Sequence, residues 1–181
     1  MELIGLYLIG SALLVLAGAA KAIRPGDTAL ALGQVLPGRL RLQPLVRIGA
    51  AGEAGVGLLA FLLPRPLPAA LVCASYLGFA AYVSYVRIRR GVLSTCGCFG
   101  RTDTPATWLH VVINLVLAAA AAGVARGTSG ASTLHSVLTA QPWAGLPLLL
   151  ASGVGLWLTY QGLTLLPALG TARQRLAGPR A

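Results

Sequence analysis

The sequence predicts an all-α membrane protein, a polytopic helical bundle of about five transmembrane helices that fills residues 1–169 and precedes a basic tail at residues 170–181. Of its 181 residues 56% are hydrophobic and only 10% are charged, and the mean hydropathy is +0.79. A soluble domain has about 25% charged residues, so that class is excluded. Several apolar runs have the length of about 20 residues that crosses a bilayer as a helix.

The first half of the chain holds two predicted spans. Span one covers residues 3–20 and is closed by Lys21. A short helix over Thr28–Leu36, capped by Asp27, is too short to cross and is expected at the membrane interface. Span two covers residues 45–63 and is rich in glycine and alanine. Small residues let helices approach closely, so tight packing is expected there.

Three further spans follow. Span three covers residues 67–86 and ends in a run of arginines. Asp103 or Thr104, placed before a proline, predicts the start of span four, which covers residues 105–125. Span five covers residues 143–166.

The basic residues predict the orientation of the bundle. The net charge of +10 does not indicate nucleic-acid binding, because the Lys and Arg residues lie at the ends of apolar runs. With five spans, one side collects twelve of them and the other collects two, Arg65 and Arg126. The positive-inside rule then places the amino terminus outside, and the carboxyl terminus and the connection between spans three and four at the cytoplasmic side.

That connection contains the sequence Cys96-Gly97-Cys98-Phe99-Gly100. Gly97 has no Cβ and permits the tight bend that brings two thiols together. The first interpretation is a redox pair that cycles between dithiol and disulfide, in which the very small ring favours easy reduction. The second is a metal site, because thiolates suit Cu(I) or Zn. The third is an inert pair in a glycine turn.

The surroundings of the pair favour thiolate chemistry. Arg101 and the amino end of span four lie just beyond it and are expected to lower the pKa of one thiol. Either Cys96 or Cys98 can be the nucleophile. Cys73, inside span three, is expected to be a buried small hydrophobic residue.

Four polar residues within the spans are candidate supporting residues. Glu53 lies deep in span two, where a carboxylate needs a partner such as Lys21 or Arg47. Glu53 has a functional interpretation, as a proton acceptor or as a group that bonds a quinone-like ligand. The alternative is a structural one, in which Glu53 clamps two helices together. His110 and Asn114 are four residues apart and share one face of span four. They either line a cavity or join helices.

This arrangement resembles the methylamine utilisation protein MauE family, grouped with DoxX-like redox-associated membrane proteins. The resemblance covers Leu3 to Ala125 and rests on Lys21, Glu53, Arg87–Arg90, Cys96–Gly100 and Asn114. It implies a helical bundle with a four-helix core that helps thioredoxin-like partners to form or rearrange disulfides, as in maturation of the methylamine dehydrogenase small subunit. The chain is also similar in architecture to vitamin K epoxide reductase, which places a cysteine pair beside a quinone site.

The resemblance and the charge count disagree on sidedness. The clients implied by the family fold outside the cytoplasm, whereas the count places the cysteine pair inside. Two other classes stay open, a membrane protein that hands Cu(I) to a partner and a non-catalytic membrane scaffold.

Overall fold

The fold is built from helices. The computed structural model describes residues 2–33, 42–63, 65–90, 107–127, 150, 152–162 and 165. Its helices are α1 (Glu2–Ile23), α2 (Pro25–Gly33), α3 (Leu42–Leu62), α4 (Pro66–Arg90) and α5 (Trp108–Ala125), and residues 152–162 are also helical. All regular structure in these ranges is helical, which confirms the predicted polytopic helical bundle.

Four of the helices, α1, α3, α4 and α5, are long and apolar enough to cross a membrane. A helix satisfies its own backbone hydrogen bonds, so it can span hydrocarbon without water. Their outer faces expose large apolar side chains such as Ile48, Leu58 and Leu77. A hydrophobic surface of this extent is covered by lipid, and the protein is therefore a multi-pass membrane protein.

Close packing of α1 against α3 rests on two glycines. A Cβ at Gly18 would lie 2.6 Å from the backbone oxygen of Ala50, and one at Gly57 would lie 2.7 Å from that of Ser11. Any larger residue would push the helices apart, so these glycines let the two backbones touch. The two helices run antiparallel, because early residues of α1 meet late residues of α3.

Buried tyrosines connect α1 to two neighbouring helices. The hydroxyl of Tyr7 donates to the backbone oxygen of Ala60 in α3 at 3.1 Å, and that of Tyr76 in α4 donates to the backbone oxygen of Gly10 at 2.6 Å. Hydroxyls buried at membrane depth require such acceptors. Tyr7 and Tyr76 belong to the main apolar core together with residues of α1, α3, α4 and α5.

The carboxyl end of α4 and the amino end of α5 lie close together at one end of the bundle. The guanidinium of Arg87, in the last turn of α4, lies 5.7 Å from the ring centre of Trp108, the first residue of α5. The two helices are therefore antiparallel neighbours. We call this end, which also holds the carboxyl end of α1 and the amino end of α3, the loop end.

Several predicted boundaries are wrong. The short helix begins at Pro25, three residues before the predicted Thr28, and Asp27 lies in its first turn instead of capping it. Proline is tolerated at the first helical position because its missing N–H has no partner there. The predicted end at residue 36 lies outside the described residues.

The later helices also differ from the prediction at their ends. The helix α4 begins at Pro66 and continues to Arg90, four residues beyond the predicted end, because arginine is a good helix former. The helix α5 begins at Trp108 with Thr107 as its N-cap, so the predicted start at Asp103 or Thr104 is wrong. The fifth span, residues 143–166, lies only partly within the described residues and stays a prediction.

Candidate functional site

The predicted redox motif lies outside the described residues. This holds for Cys96, Gly97, Cys98, Phe99, Gly100 and Arg101. The described chain stops at Arg90 and resumes at Thr107, and both residues lie at the loop end of the bundle. The two thiols thus remain a sequence-based prediction, and the described site is the part of the bundle near the loop end.

An ion pair joins α1 to α3 inside the bundle. The Nζ atom of Lys21 lies 2.5 Å from Oε2 of Glu53, and the two side chains are only 8% and 22% exposed. The Cα–Cβ bond of a helical residue tilts toward the amino terminus, so Lys21, near the end of α1, reaches back toward the middle of the bundle. Of the two partners expected for Glu53 the structure contains Lys21, whereas Arg47 is exposed.

The ammonium group of Lys21 also contacts an aromatic ring. Its Nζ lies 4.6 Å from the ring centre of Phe79 in α4, within the range of a cation–π interaction. Phe79 itself packs edge to face on Tyr76, with ring centres 6.0 Å apart. Burial of a charge is costly, and here a carboxylate and an aromatic face together offset that cost.

At the start of α5, His110 continues the polar region toward the loop end. It is 2% exposed, and its Nδ1 lies 2.8 Å from Oγ1 of Thr107 and 3.4 Å from the backbone nitrogen of Thr107. A backbone N–H can only donate, so Nδ1 of His110 accepts from the N–H of Thr107. His110 therefore takes the place of the glutamate in a capping box. It holds Thr107, the first described residue after the cysteine segment, by which we mean the connection over residues 91–106 that contains Cys96 and Cys98.

One turn later on α5, Asn114 shares the face of His110, as predicted. Its amide Nδ2 donates to the backbone oxygen of His110 at 2.8 Å. This hydrogen bond stays within one helix, so it does not clamp α5 to a neighbour. The amide oxygen is the atom of Asn114 that is suited to accept a hydrogen bond from a molecule in the bundle.

A first, small cavity of about 30 Å³ lies between α1, α4 and α5. Its polar lining consists of Lys21, Tyr76, His110 and Asn114, and the rest is apolar. The sequence predicted that His110 and Asn114 share a face, and the structure places both on this cavity together with Lys21.

A second cavity, of about 270 Å³, lies between α1, α2, α3 and α4. It is lined by Lys21 and Glu53 and by residues that include Thr28, Gly49, Phe79 and Tyr82. Lys21 and Phe79 line both cavities, so these two side chains separate one from the other.

Sequence reasoning missed the role of aromatic residues in this region. From the sequence, the tyrosines of span three fit interface anchoring or packing and no chemistry. Tyr76, Phe79 and Tyr82 recur at three-residue spacing on one face of α4, and this spacing is the signal that was available. Cys73, also on α4, is a free thiol of intermediate exposure packed against the apolar core, less buried than expected.

We call Lys21, Glu53, His110 and Asn114 the polar cluster. Within the described residues it offers an ammonium, a carboxylate, an imidazole and an amide around two cavities in an otherwise apolar bundle. Such groups can bind a polar head group, donate and accept hydrogen bonds and hold a proton.

Comparison with known proteins identifies the family to which the chain is similar. The family model described as methylamine utilisation protein MauE matches residues 2–127, which is more than two thirds of the chain. The match includes the four spans, the polar cluster and the cysteine segment. No curated protein and no solved structure matches the chain.

Proposed function

The chain belongs to the methylamine utilisation protein MauE family, and on that premise we propose that it is a membrane thiol-disulfide redox protein. Its working groups are Cys96 and Cys98, and it exchanges electrons with a thioredoxin-like partner. Its role is to support the formation of disulfides in client proteins, of the kind needed when methylamine dehydrogenase matures.

The observation that carries the proposal is the position of the cysteine pair in the chain. Two thiols separated by one glycine occur in the sequence that connects α4 to α5, and the described ends of that connection, Arg90 and Thr107, lie at the loop end of the bundle. A segment at the end of a helical bundle is accessible to a water-soluble partner. The nearby cations favour the thiolate, which is the attacking species in disulfide exchange.

The exchange proceeds in two steps, over which electrons and protons balance. The thiolate of one cysteine attacks a sulfur of the partner's disulfide, forms a mixed disulfide and releases the partner's other sulfur as a thiolate. The second cysteine then attacks its neighbour's sulfur, closes the Cys96–Cys98 disulfide and releases the partner as a dithiol. In this direction two electrons and two protons pass from this protein to its partner. The reverse sequence supports disulfide formation, because the partner's dithiol then reduces the Cys96–Cys98 disulfide and the partner leaves as a disulfide.

We place this segment at the cytoplasmic boundary. Among the described residues Lys21, Arg24, Arg47, Arg87 and Arg89 belong to the loop end, and Arg65 and Arg126 belong to the opposite end. The positive-inside rule assigns the more basic end to the cytoplasm. A cytoplasmic dithiol donor is the partner that fits this side.

Trapping of the mixed disulfide tests the proposal. In a Cys98→Ser or a Cys96→Ser variant the resolving thiol is lost, so one of the two should accumulate a covalent complex with a thioredoxin-fold protein that reductant dissolves. The Cys73→Ala variant is the control and should trap nothing. Absence of any complex in both variants contradicts the proposal, and a copper content lost on either Cys→Ser change would favour metal transfer instead.

A further inference from the structure

We propose that the second cavity, beside Lys21 and Phe79, is a binding site for a lipid-soluble two-electron carrier, a neutral ring that bears carbonyl oxygens, of the quinone class. The inference rests on the proposed function, since it names the small molecule that exchanges electrons with the cysteine pair.

The size and lining of the site suit such a ring. The second cavity, at about 270 Å³, is close to the lower end of the range of pockets that hold small molecules, about 300–1,000 Å³, a size that suits a single ring. Phe79 and Tyr82 supply aromatic faces on one wall. The remaining wall is apolar apart from Thr28 and the ion pair. This combination of flat rings and few polar groups matches a planar head group with an apolar tail.

The Lys21–Glu53 pair selects a neutral ligand. The positive charge of Lys21 and the negative charge of Glu53 cancel. An anionic lipid head group would be repelled by Glu53 and a cation by Lys21, and such repulsion is strong in a low-dielectric site. The ammonium has three N–H donors, and among the described residues Glu53 is its hydrogen-bond acceptor. A donor is thus left for a carbonyl oxygen.

The same pair fits both redox states of the carrier. In the oxidised ring a carbonyl oxygen accepts a hydrogen bond from Lys21. In the reduced ring a hydroxyl donates to the carboxylate of Glu53, which lines the second cavity. A pair that contains one donor and one acceptor therefore binds both members of the couple.

The site opens toward lipid and lies near the loop end of the bundle. The lining residues Leu45 and Gly49 of α3 are exposed, and α3 packs much less extensively on α4 than on α1. A molecule dissolved in the bilayer can enter between α3 and α4. On the other side, His110 lines the first cavity and bonds Thr107, the residue that follows the cysteine segment.

The electron transfer balances as follows. The dithiol of Cys96 and Cys98 is oxidised to the disulfide, and the quinone is reduced to the hydroquinone. Two electrons and two protons leave the thiols, and each ring oxygen receives one proton. The hydroquinone then leaves through the bilayer, and no other oxidant is required.

Equilibrium binding of short-chain ubiquinone and menaquinone tests the site in the full chain reconstituted in lipid nanodiscs. The critical comparison is Gly49→Leu with Gly52→Leu. A Cβ meets nothing within 4 Å at either position, so both variants are expected to fold, but only Gly49 lines the second cavity. We expect Gly49→Leu to weaken binding at least about tenfold and Gly52→Leu to leave it within about twofold.

A second variant tests the chemistry. The double change Lys21→Met and Glu53→Leu replaces the ion pair by apolar residues of similar size, a change that buried pairs tolerate. It should weaken quinone binding by at least about tenfold while the exposed Arg47→Gln variant binds normally. Equal binding by Gly49→Leu and Gly52→Leu, or no saturable binding at all, overturns the inference.

The Cys96→Ser, Cys98→Ser double variant separates this inference from the proposed function. It should bind quinone like the unmodified chain, because the site does not use the thiols. If it does so while quinone fails to oxidise the thiols of the unmodified chain, the binding site stands and the electron transfer from the thiols to the quinone falls. The exchange with the thioredoxin-like partner is tested separately, by trapping of the mixed disulfide.

Discussion

The contact between Gly18 and α3 controls how near Lys21 comes to Glu53, and Gly18→Ala is therefore predicted to destabilise the protein. A Cβ at Gly18 would lie 2.6 Å from the backbone oxygen of Ala50 and 2.7 Å from the backbone nitrogen of Ala54. Ordinary contact begins near 3.4 Å, so α1 must move away from α3 by roughly 0.8 Å.

Two costs follow from this displacement. Overpacking of a tight contact costs about 1–3 kcal/mol of unfolding free energy. Lys21 lies one turn after Gly18, and Glu53 precedes Ala54, so the ion pair opens with the helices. Its Nζ–Oε2 distance would grow from 2.5 Å to about 3.3 Å, beyond the usual length of an N–H···O hydrogen bond.

The assay is unfolding in a mild detergent titrated with a denaturing one, followed by tryptophan fluorescence. The matched control is Gly52→Ala on α3, where a Cβ meets nothing within 4 Å. Gly52→Ala should be neutral or slightly stabilising, since alanine is the better helix former. If Gly18→Ala is as stable as Gly52→Ala, the close packing of α1 on α3 does not hold and this reasoning is refuted.

Three further predictions concern the core and the orientation. Lys21→Met and Glu53→Leu should each lower the unfolding free energy by about 3–5 kcal/mol, because each leaves a buried charge without its partner. The double variant should return to within about 1 kcal/mol of the unmodified chain. If chemical denaturation shows that the two costs add, the coupling of the two side chains is contradicted. Tyr76→Phe removes the buried 2.6 Å hydrogen bond to Gly10 and should cost about 1 kcal/mol in the same assay, and an unchanged midpoint would speak against that bond. In intact cells an impermeant maleimide should label the cysteine segment slowly from outside and rapidly after permeabilisation; rapid external labelling would reverse the proposed orientation.

The sequence was sufficient to predict the membrane bundle and the approximate position of four spans, because span length and hydropathy follow from bilayer thickness alone. It was less informative about helix ends. The short helix was expected from Thr28 and span three from residue 67, whereas the helices begin at Pro25 and Pro66, because proline fits the first helical turn. The arginines after Val86 were assigned to a loop, although long cationic side chains extend to the head groups while their backbone stays helical.

The polar cluster was predicted in part. Glu53 needed a cation at membrane depth, and Lys21 was one of two candidates. Choosing between Lys21 and Arg47 required the packing of α1 on α3, which depends on Gly18 and Gly57. The spacing of Phe79 with Tyr76 and Tyr82 is visible in the sequence. Its inward position could not be predicted, because tertiary contacts decide which face of α4 turns inward.

The central claim is that Cys96 and Cys98 gain and lose two electrons reversibly, and the most direct measurement is the mass of the purified full chain alkylated in a series of glutathione redox buffers. A Cys73→Ala background removes the other thiol. The account predicts two alkyl groups per chain at reducing potentials, none at oxidising potentials, and a single two-electron transition between them. Two alkyl groups at every potential would contradict it.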